Sequence, residues 1–263
     1  MADFSRYHRR RPWSLALPGL LALGAAAAAR ADGPGYDRPG LGFSPTVLAP
    51  GTVAFEQGLP DWSRDRQDGA SQSQYAFDSL LRIGLGHALE LQLGGSPYNR
   101  LYQHGAGPDR TSHGRGDSSA GLKLALPSAD PALQWGLLGS VEFTDGARDF
   151  RNAQRQYLLG VDVNLQLDER NGIAAYLEQL RQGGHGGGTL ALSDSFAVTS
   201  ALALYAEAAW QHVPAGGSGT LAGAGVAWQP TGHLQLDGSF RRRLGGRIPE
   251  WSAGLGLSVY FGQ

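Results

Sequence analysis

The sequence predicts an all-β protein, a transmembrane, antiparallel, up-and-down barrel of about twelve strands. Three observations predict it. Short segments alternating apolar and polar residues with period 2 recur from Gly51 to the last residue. Most are longer than the roughly 5–6 residues of an average soluble strand and match the roughly 9–11 that a tilted strand needs to cross a bilayer. The connections alternate short and long, as periplasmic turns and external loops do in outer-membrane barrels.

The composition agrees with this class. Of 263 residues 40 are Gly, Lys occurs once, at Lys123, and there is no Cys, which excludes disulfides and thiol chemistry. Apolar residues make up 41%. Beyond the N-terminus none of their runs reaches the roughly 18 residues of a spanning helix. In a barrel only every second residue meets lipid, so modest overall hydropathy is expected.

Residues 1–31 read as an export signal. Arg6, Arg9, Arg10 and Arg11 form a basic start, Leu15 to Ala29 an apolar stretch, and Ala29-Arg30-Ala31 a cleavage site. Five Arg and one Asp fall in that segment. The remainder holds 17 basic and 22 acidic side chains, net −5, which argues against a nucleic-acid partner.

Residues 32–50 carry Pro34, Pro39, Pro45 and Pro50 among several glycines, so no regular ladder can form there. This lead-in is expected to lie in the periplasm or to plug the barrel. Residues 51–263 are the barrel. Its alternating segments fall near 51–60, 72–86, 88–98, 118–127, 132–144, 155–168, 171–181, 188–199, 201–212, 219–230, 233–243 and 250–263. In the sixth, Tyr157, Leu159, Val161, Val163, Leu165 and Leu167 face one way, and Gly160, Asp162, Asn164 and Gln166 the other. The expected long loops are 61–71, 99–117, 145–154, 182–187, 213–218 and 244–249. Trp62, Tyr75, Tyr98, Tyr102, Trp210, Trp228, Trp251 and Phe261 sit near strand ends, as interfacial girdles do. In the last strand Phe261 falls in phase on the lipid side, and Gly262 and Gln263 overhang.

The inward phase is where a function would reside. Candidate lumen-lining residues are Glu56, Asp78, Arg82, Glu90, Asp162, Glu178, Glu207 and Asp237. Glu142, Asp168, Lys123 and Arg241 share that phase. Two readings stand: a polar, cation-tolerant interior, or charges that pair to fill a narrow barrel. For catalysis, His104, His113, Asp109, Arg110, Ser112 and Asp117 cluster in the longest expected loop. No G-x-S-x-G or H-E-x-x-H accompanies them, so no catalytic residue, metal site or cofactor is assigned. Gly183 to Gly188 reads as a flexible external loop. Arg241-Arg242-Arg243 reads as an outer rim facing anionic lipopolysaccharide or water.

Several stretches together resemble the outer-membrane channel family named for the MetA pathway of phenol degradation. They are Asp37-Arg38-Pro39 through Phe43-Ser44-Pro45 to Pro50-Gly51 and Glu56, and Leu81-Arg82-Ile83-Gly84-Leu85 to Leu89-Glu90-Leu91. The Glu169 to Glu178 hairpin and the Trp228 to Arg241 stretch add to them. The resemblance spans 37 to 261. It implies an outer-membrane barrel that passes small solutes, aromatic or otherwise poorly permeant ones among them. The phenol label itself comes from pathway context. Expected partners are outer-membrane lipid and lipopolysaccharide, the barrel-assembly machinery and a small solute. The competing class is a barrel without transport, a scaffold or a lipid-modifying enzyme.

Overall fold

A computed structural model describes residues 34–67, 69–105, 107–214 and 217–262. The export-signal reading of residues 1–31 falls outside these residues. The described chain forms fifteen strands in order: β1 (Val53–Gln67), β2 (Ala70–Ala76), β3 (Ser79–Gly84), β4 (Leu89–Gly95), β5 (Asn99–His104), β6 (Arg110–Gly114), β7 (Ser118–Leu126), β8 (Leu133–Glu142), β9 (Gln156–Gln166), β10 (Asn171–Gln182), β11 (His185–Ala197), β12 (Leu202–His212), β13 (Ser218–Thr231), β14 (Leu234–Gly246) and β15 (Trp251–Phe261). All belong to one antiparallel sheet, and β15 pairs back onto β1, with Phe261 opposite Val53, to close it. Closure leaves no open edge in lipid.

Fifteen strands make twelve staves. Three staves are interrupted: β3 continues as β2, β4 as β5, and β6 as β7. The interruptions lie at one level. β1 pairs with β3 over Val53–Gln57 and with β2 from Asp61, and between them its register with β15 slips at Gly58/Asp61. Pro60 stands in that slip, where it has no N–H to give to a ladder.

The pattern of exposure is inverted relative to a water-soluble protein. Leu159, Leu192 and Leu255 on the outward phase are 60%, 61% and 61% exposed, whereas Arg82 and Lys123 are 0% exposed. Such a surface is stable only where the outer solvent is hydrocarbon. The aromatics Tyr75, Tyr98, Tyr102, Trp210, Trp228 and Phe261 stand exposed on the outside near the strand ends.

Three expected loops are corrected. Residues 61–71 are mostly strand, the outer halves of β1 and β2. Residues 99–117 contain the β5–β6 hairpin. Above the bilayer both faces of a strand meet water, so hydropathy stops alternating and the strands read as loops. The slip at Pro60 also shifts the phase. Third, Gly183 to Gly188 is not a flexible loop. Gly183 and Gly184, with φ of 55° and 88°, make a tight turn between Gln182 and His185, and β11 starts at once.

Residues 34–50 form no strand. They lie inside the barrel, with Tyr36, Phe43 and Leu48 buried. The wall makes room for their backbone at glycines. A Cβ at Gly136 would come 2.9 Å from the Pro45 carbonyl, and one at Gly84 would collide with the carbonyls of Leu48 and Ala49. The segment returns to the wall at Gly51, whose N–H donates to the Gly84 carbonyl at 2.8 Å.

Candidate functional site: the barrel interior and the segment across it

The interior is built from charges and from main chain in equal measure. Arg82 on β3 is its hub. It donates two bonds to Glu90 on β4 (Nε–Oε1 2.8 Å, Nη2–Oε2 2.9 Å), one to Glu56 on β1 (2.8 Å) and one to the Gly35 carbonyl (2.8 Å). Two parallel bonds to one carboxylate fix the guanidinium plane. Lys123 on β7 lies 2.9 Å from Asp37 and 3.2 Å from Glu90. Two cations and three carboxylates thus share one buried cluster, and Asp37 comes from the lead-in.

The acids of the wall also hold the lead-in's main chain. Glu56 accepts from the amides of Asp37 (3.0 Å) and Arg38 (2.9 Å), Glu90 from Leu48 (3.0 Å) and Glu207 from Leu41 (3.1 Å). A segment without a ladder of its own finds its partners in side chains, as buried amides must. Its carbonyls are met from the other direction: Arg241 and Tyr205 donate to Pro39, and Gln235 to Arg38.

Arg38 points the opposite way along the wall. It binds Asp61 through both terminal nitrogens (2.8 and 3.0 Å), approaches Asp237 at 3.3 Å, and donates to the Leu255 carbonyl at 3.1 Å. That carbonyl lies on β15 beside the slip at Pro60. The guanidinium therefore occupies a place where the ladder is interrupted.

The other expected residues take these positions. Asp162 on β9 is buried beside Gly42, where any Cβ would strike its carboxylate. Glu178 accepts from Tyr176 (2.6 Å) and Thr189 (3.2 Å), and Tyr176 meets Phe43 edge-on with centroids 5.8 Å apart. Asp78 is exposed, in the break between β2 and β3. Glu142 accepts from Asn152 at 3.1 Å. Asp168 lies in the β9–β10 turn, where it caps the amides of Arg170 and Asn171 instead of facing inward. Of the rim arginines, Arg241 reaches Glu207 (2.5 Å), Arg243 reaches Asp65 (2.9 Å), and Arg242 lies over the Trp251 ring. Sequence reasoning missed Asp37, Arg38, Asp61 and Gln92, the last bonded to Asp37 at 2.7 Å. The Asp-Arg-Pro of the lead-in was the one available signal.

The loop chemistry is modest. His104 contacts Asp109, whose other oxygen accepts from the Tyr102 hydroxyl at 2.6 Å. These bonds hold the Asp109 carboxyl below its ordinary range, the Tyr102 bond first. All three side chains belong to an exposed hairpin. No group of three His, Asp or Glu suited to a metal ion occurs among the described residues.

Asp145, between β8 and β9, ties two outer breaks together. It accepts from Ser118 N–H (2.8 Å) and Oγ (2.9 Å) and from Arg115. The Ser118 amide chiefly holds its carboxyl down, from 3.8 to about 2. A carboxyl with a lowered pKa stabilises above its ordinary range and loses that contribution as pH falls toward the lowered value. The Ser118 amide is therefore expected to stay protected from hydrogen exchange until the pH nears about 2. In Asp145→Asn it exchanges faster at neutral pH. Equal exchange in the two proteins would remove this clamp.

Comparisons with known proteins bear on the fold and the family. A family model described as "Putative MetA-pathway of phenol degradation" matches residues 36–261. No curated protein matches the sequence. The chain is similar in structure to the COG4313 outer membrane channel from Pseudomonas putida F1, with a TM-score of 0.63 at 11% identity, over 82% of this chain and 97% of that one. It is similar to the KdgM porin, at 0.50 and 6%, over 80% and 99%. It is equally similar to the β domain of the Bordetella autotransporter BrkA, at 0.50 and 13%, over 81% and 100%. At these identities the likeness is one of fold, a closed outer-membrane barrel.

Proposed function

Because the chain belongs to the family whose model spans residues 36–261, we propose that it is an outer-membrane channel for small solutes. Aromatic or otherwise poorly permeant compounds are the class its family label suggests. The observation that carries the reading is the interior itself. A scaffold barrel of this width would gain most by packing its lumen with apolar side chains. Here Glu56, Arg82, Glu90, Glu207 and Asp237 are buried against a segment that crosses the barrel and is held mainly through hydrogen bonds and ion pairs, and we take them, with Asp78, Asp162 and Glu178, as the groups that would line the path of a solute. Polar groups that bind weakly and at several levels suit passage, since a solute must leave as readily as it enters.

The reading is of a channel without catalysis. Among the described residues no nucleophile joins the His104–Asp109 contact, and the similar barrels include an outer-membrane channel and a porin. Export would proceed by cleavage near Ala31, and insertion by the barrel-assembly machinery, with Phe261 closing the barrel at the periplasmic girdle.

The test is flux. Barrel that shows the heat-dependent gel shift of a closed fold is placed in planar bilayers and in liposomes, and conductance and uptake of phenol are recorded. Discrete conductance with faster uptake is expected. Folded protein that passes neither ions nor phenol would overturn the channel reading.

A further inference from the structure

On the outside of the barrel, β13, β14, β15, β1 and β2 form a patch unlike the rest of the wall. Pairing fixes its rows. Ala224 stands opposite Phe240, Phe240 opposite Ala253, Ala253 opposite Trp62 and Trp62 opposite Tyr75. The residues between the aromatics are small, so the surface dips. The result is a groove of about 620 Å³ in which Pro60, Trp62, Tyr75, Phe240 and Leu255 stand around a floor at Ala253. Its lining is almost wholly apolar, and every one of these side chains lies on the outward phase.

One row nearer the cell exterior the chemistry changes. Arg64 and Arg242 stand on either side of Trp251, each paired with it across a strand boundary. Arg242 lies over the Trp251 ring at 4.8 Å, and Phe240 packs against the same ring at 5.2 Å. Neither arginine forms a salt bridge among the described residues, although Arg38, Arg82, Arg241 and Arg243 all do. The acids of these strands, Glu56, Asp61, Asp65 and Asp237, lie on the inward phase, and all four pair with those inward arginines. The outward row therefore presents two guanidinium groups without a salt bridge among the described residues, one over the indole and one on the strand paired with it, above an apolar groove.

We propose that this patch binds one molecule of phosphorylated, multiply acylated glycolipid, the lipid A part of lipopolysaccharide. Its phosphate lies between Arg64 and Arg242, and an acyl chain lies in the groove floored by Ala253. The depth fits, because the arginine row lies at the end of the barrel that carries the long connections, where headgroups of the outer leaflet sit. The chemistry fits as well. A guanidinium pair offers forked donors to phosphate oxygens, and an apolar groove shortens the mismatch between rough protein and a straight chain. Aromatic rings at this level match the interface. The proposal does not depend on solute passage.

The experiment uses the intact barrel purified from outer membranes. After detergent exchange, retained lipid is counted by native mass spectrometry. The wild type should keep one lipid A. The Arg64→Gln/Arg242→Gln double variant should keep at least about tenfold less per protein, as expected for losing charge-assisted bonds to one phosphate. Ala253→Trp fills the groove with both arginines intact and should also lose the lipid. Arg181→Gln, an outward arginine on β10 remote from the patch, should behave as wild type. Stripped wild-type barrel is then titrated with lipid A and with dephosphorylated lipid A, a measurement that needs no variant. Tighter binding of the phosphorylated form is expected. Equal binding of the two lipids, unchanged retention by the double variant, or absence of retained lipid from the wild type would each overturn the proposal.

Discussion

Replacing Arg82 by Met is expected to cost the folded barrel about 3–5 kcal/mol, the usual penalty for stripping one partner from a buried ion pair. The arginine is fully buried, and it satisfies Glu90 twice, Glu56 once and the Gly35 carbonyl once. Methionine nearly fills the space but leaves Lys123 alone to face Asp37, Glu56 and Glu90. The excess charge has no water to turn to. Part of the loss should return if a carboxylate is removed as well. Arg82→Met/Glu90→Met is therefore expected to be more stable than Arg82→Met, although two wall contacts are gone. The readout is the denaturant or temperature midpoint of the heat-dependent gel shift. A midpoint for Arg82→Met equal to that of the wild type would show that water already reaches the cluster and that the pairing stabilises little.

The contrast between Arg82 and the outer strands shows which features a sequence carries. The staves from β9 to β15 were legible because lipid on one side and a polar interior on the other force strict alternation. Leu159, Val161 and Val163 against Gly160, Asp162 and Asn164 is the clearest case. The closing strand was legible for the same reason, and its pairing of Phe261 with Val53 follows from it. The breaks in β2–β7 were not. A slip of phase at Pro60 hides the outer half of β1, and above the membrane β5 and β6 lose the solvent asymmetry that writes the pattern. Inward acids such as Glu56 and Glu90 could be picked out by phase alone. Their partners could not, because Arg38 meets Asp237 across 199 residues of sequence and Lys123 meets Asp37 across 86. Only the placement of the lead-in inside the closed barrel brings these together.

Deleting residues 34–50 is expected to raise single-channel conductance severalfold while leaving a folded barrel. The charge arrangement explains why the barrel should survive. Without the segment the inner cluster keeps Arg82 and Lys123 against Glu56 and Glu90, two charges of each sign. The acids that lose Arg38, Asp61 and Asp237, would then face a water-filled lumen and be hydrated there. What the deletion removes is volume. Tyr36, Phe43 and Leu48 leave the interior, and Gly84 and Gly136, which now accommodate backbone, become open wall. A twelve-strand barrel lies between the filled eight-strand and the open sixteen-strand cases, so its free bore is set by what crosses it. A milder change should act in the same direction. Arg38→Gln frees Asp61 and Asp237 and loosens the turn at Pro39, and should produce brief openings to the larger level instead of a permanent one. The added acids on the lumen wall should also tilt the enlarged pore toward cations, read as a shift of reversal potential in a salt gradient. Deletion protein with the normal gel shift and unchanged conductance would mean that the segment does not limit passage, and that the narrow point lies in the outer loops instead.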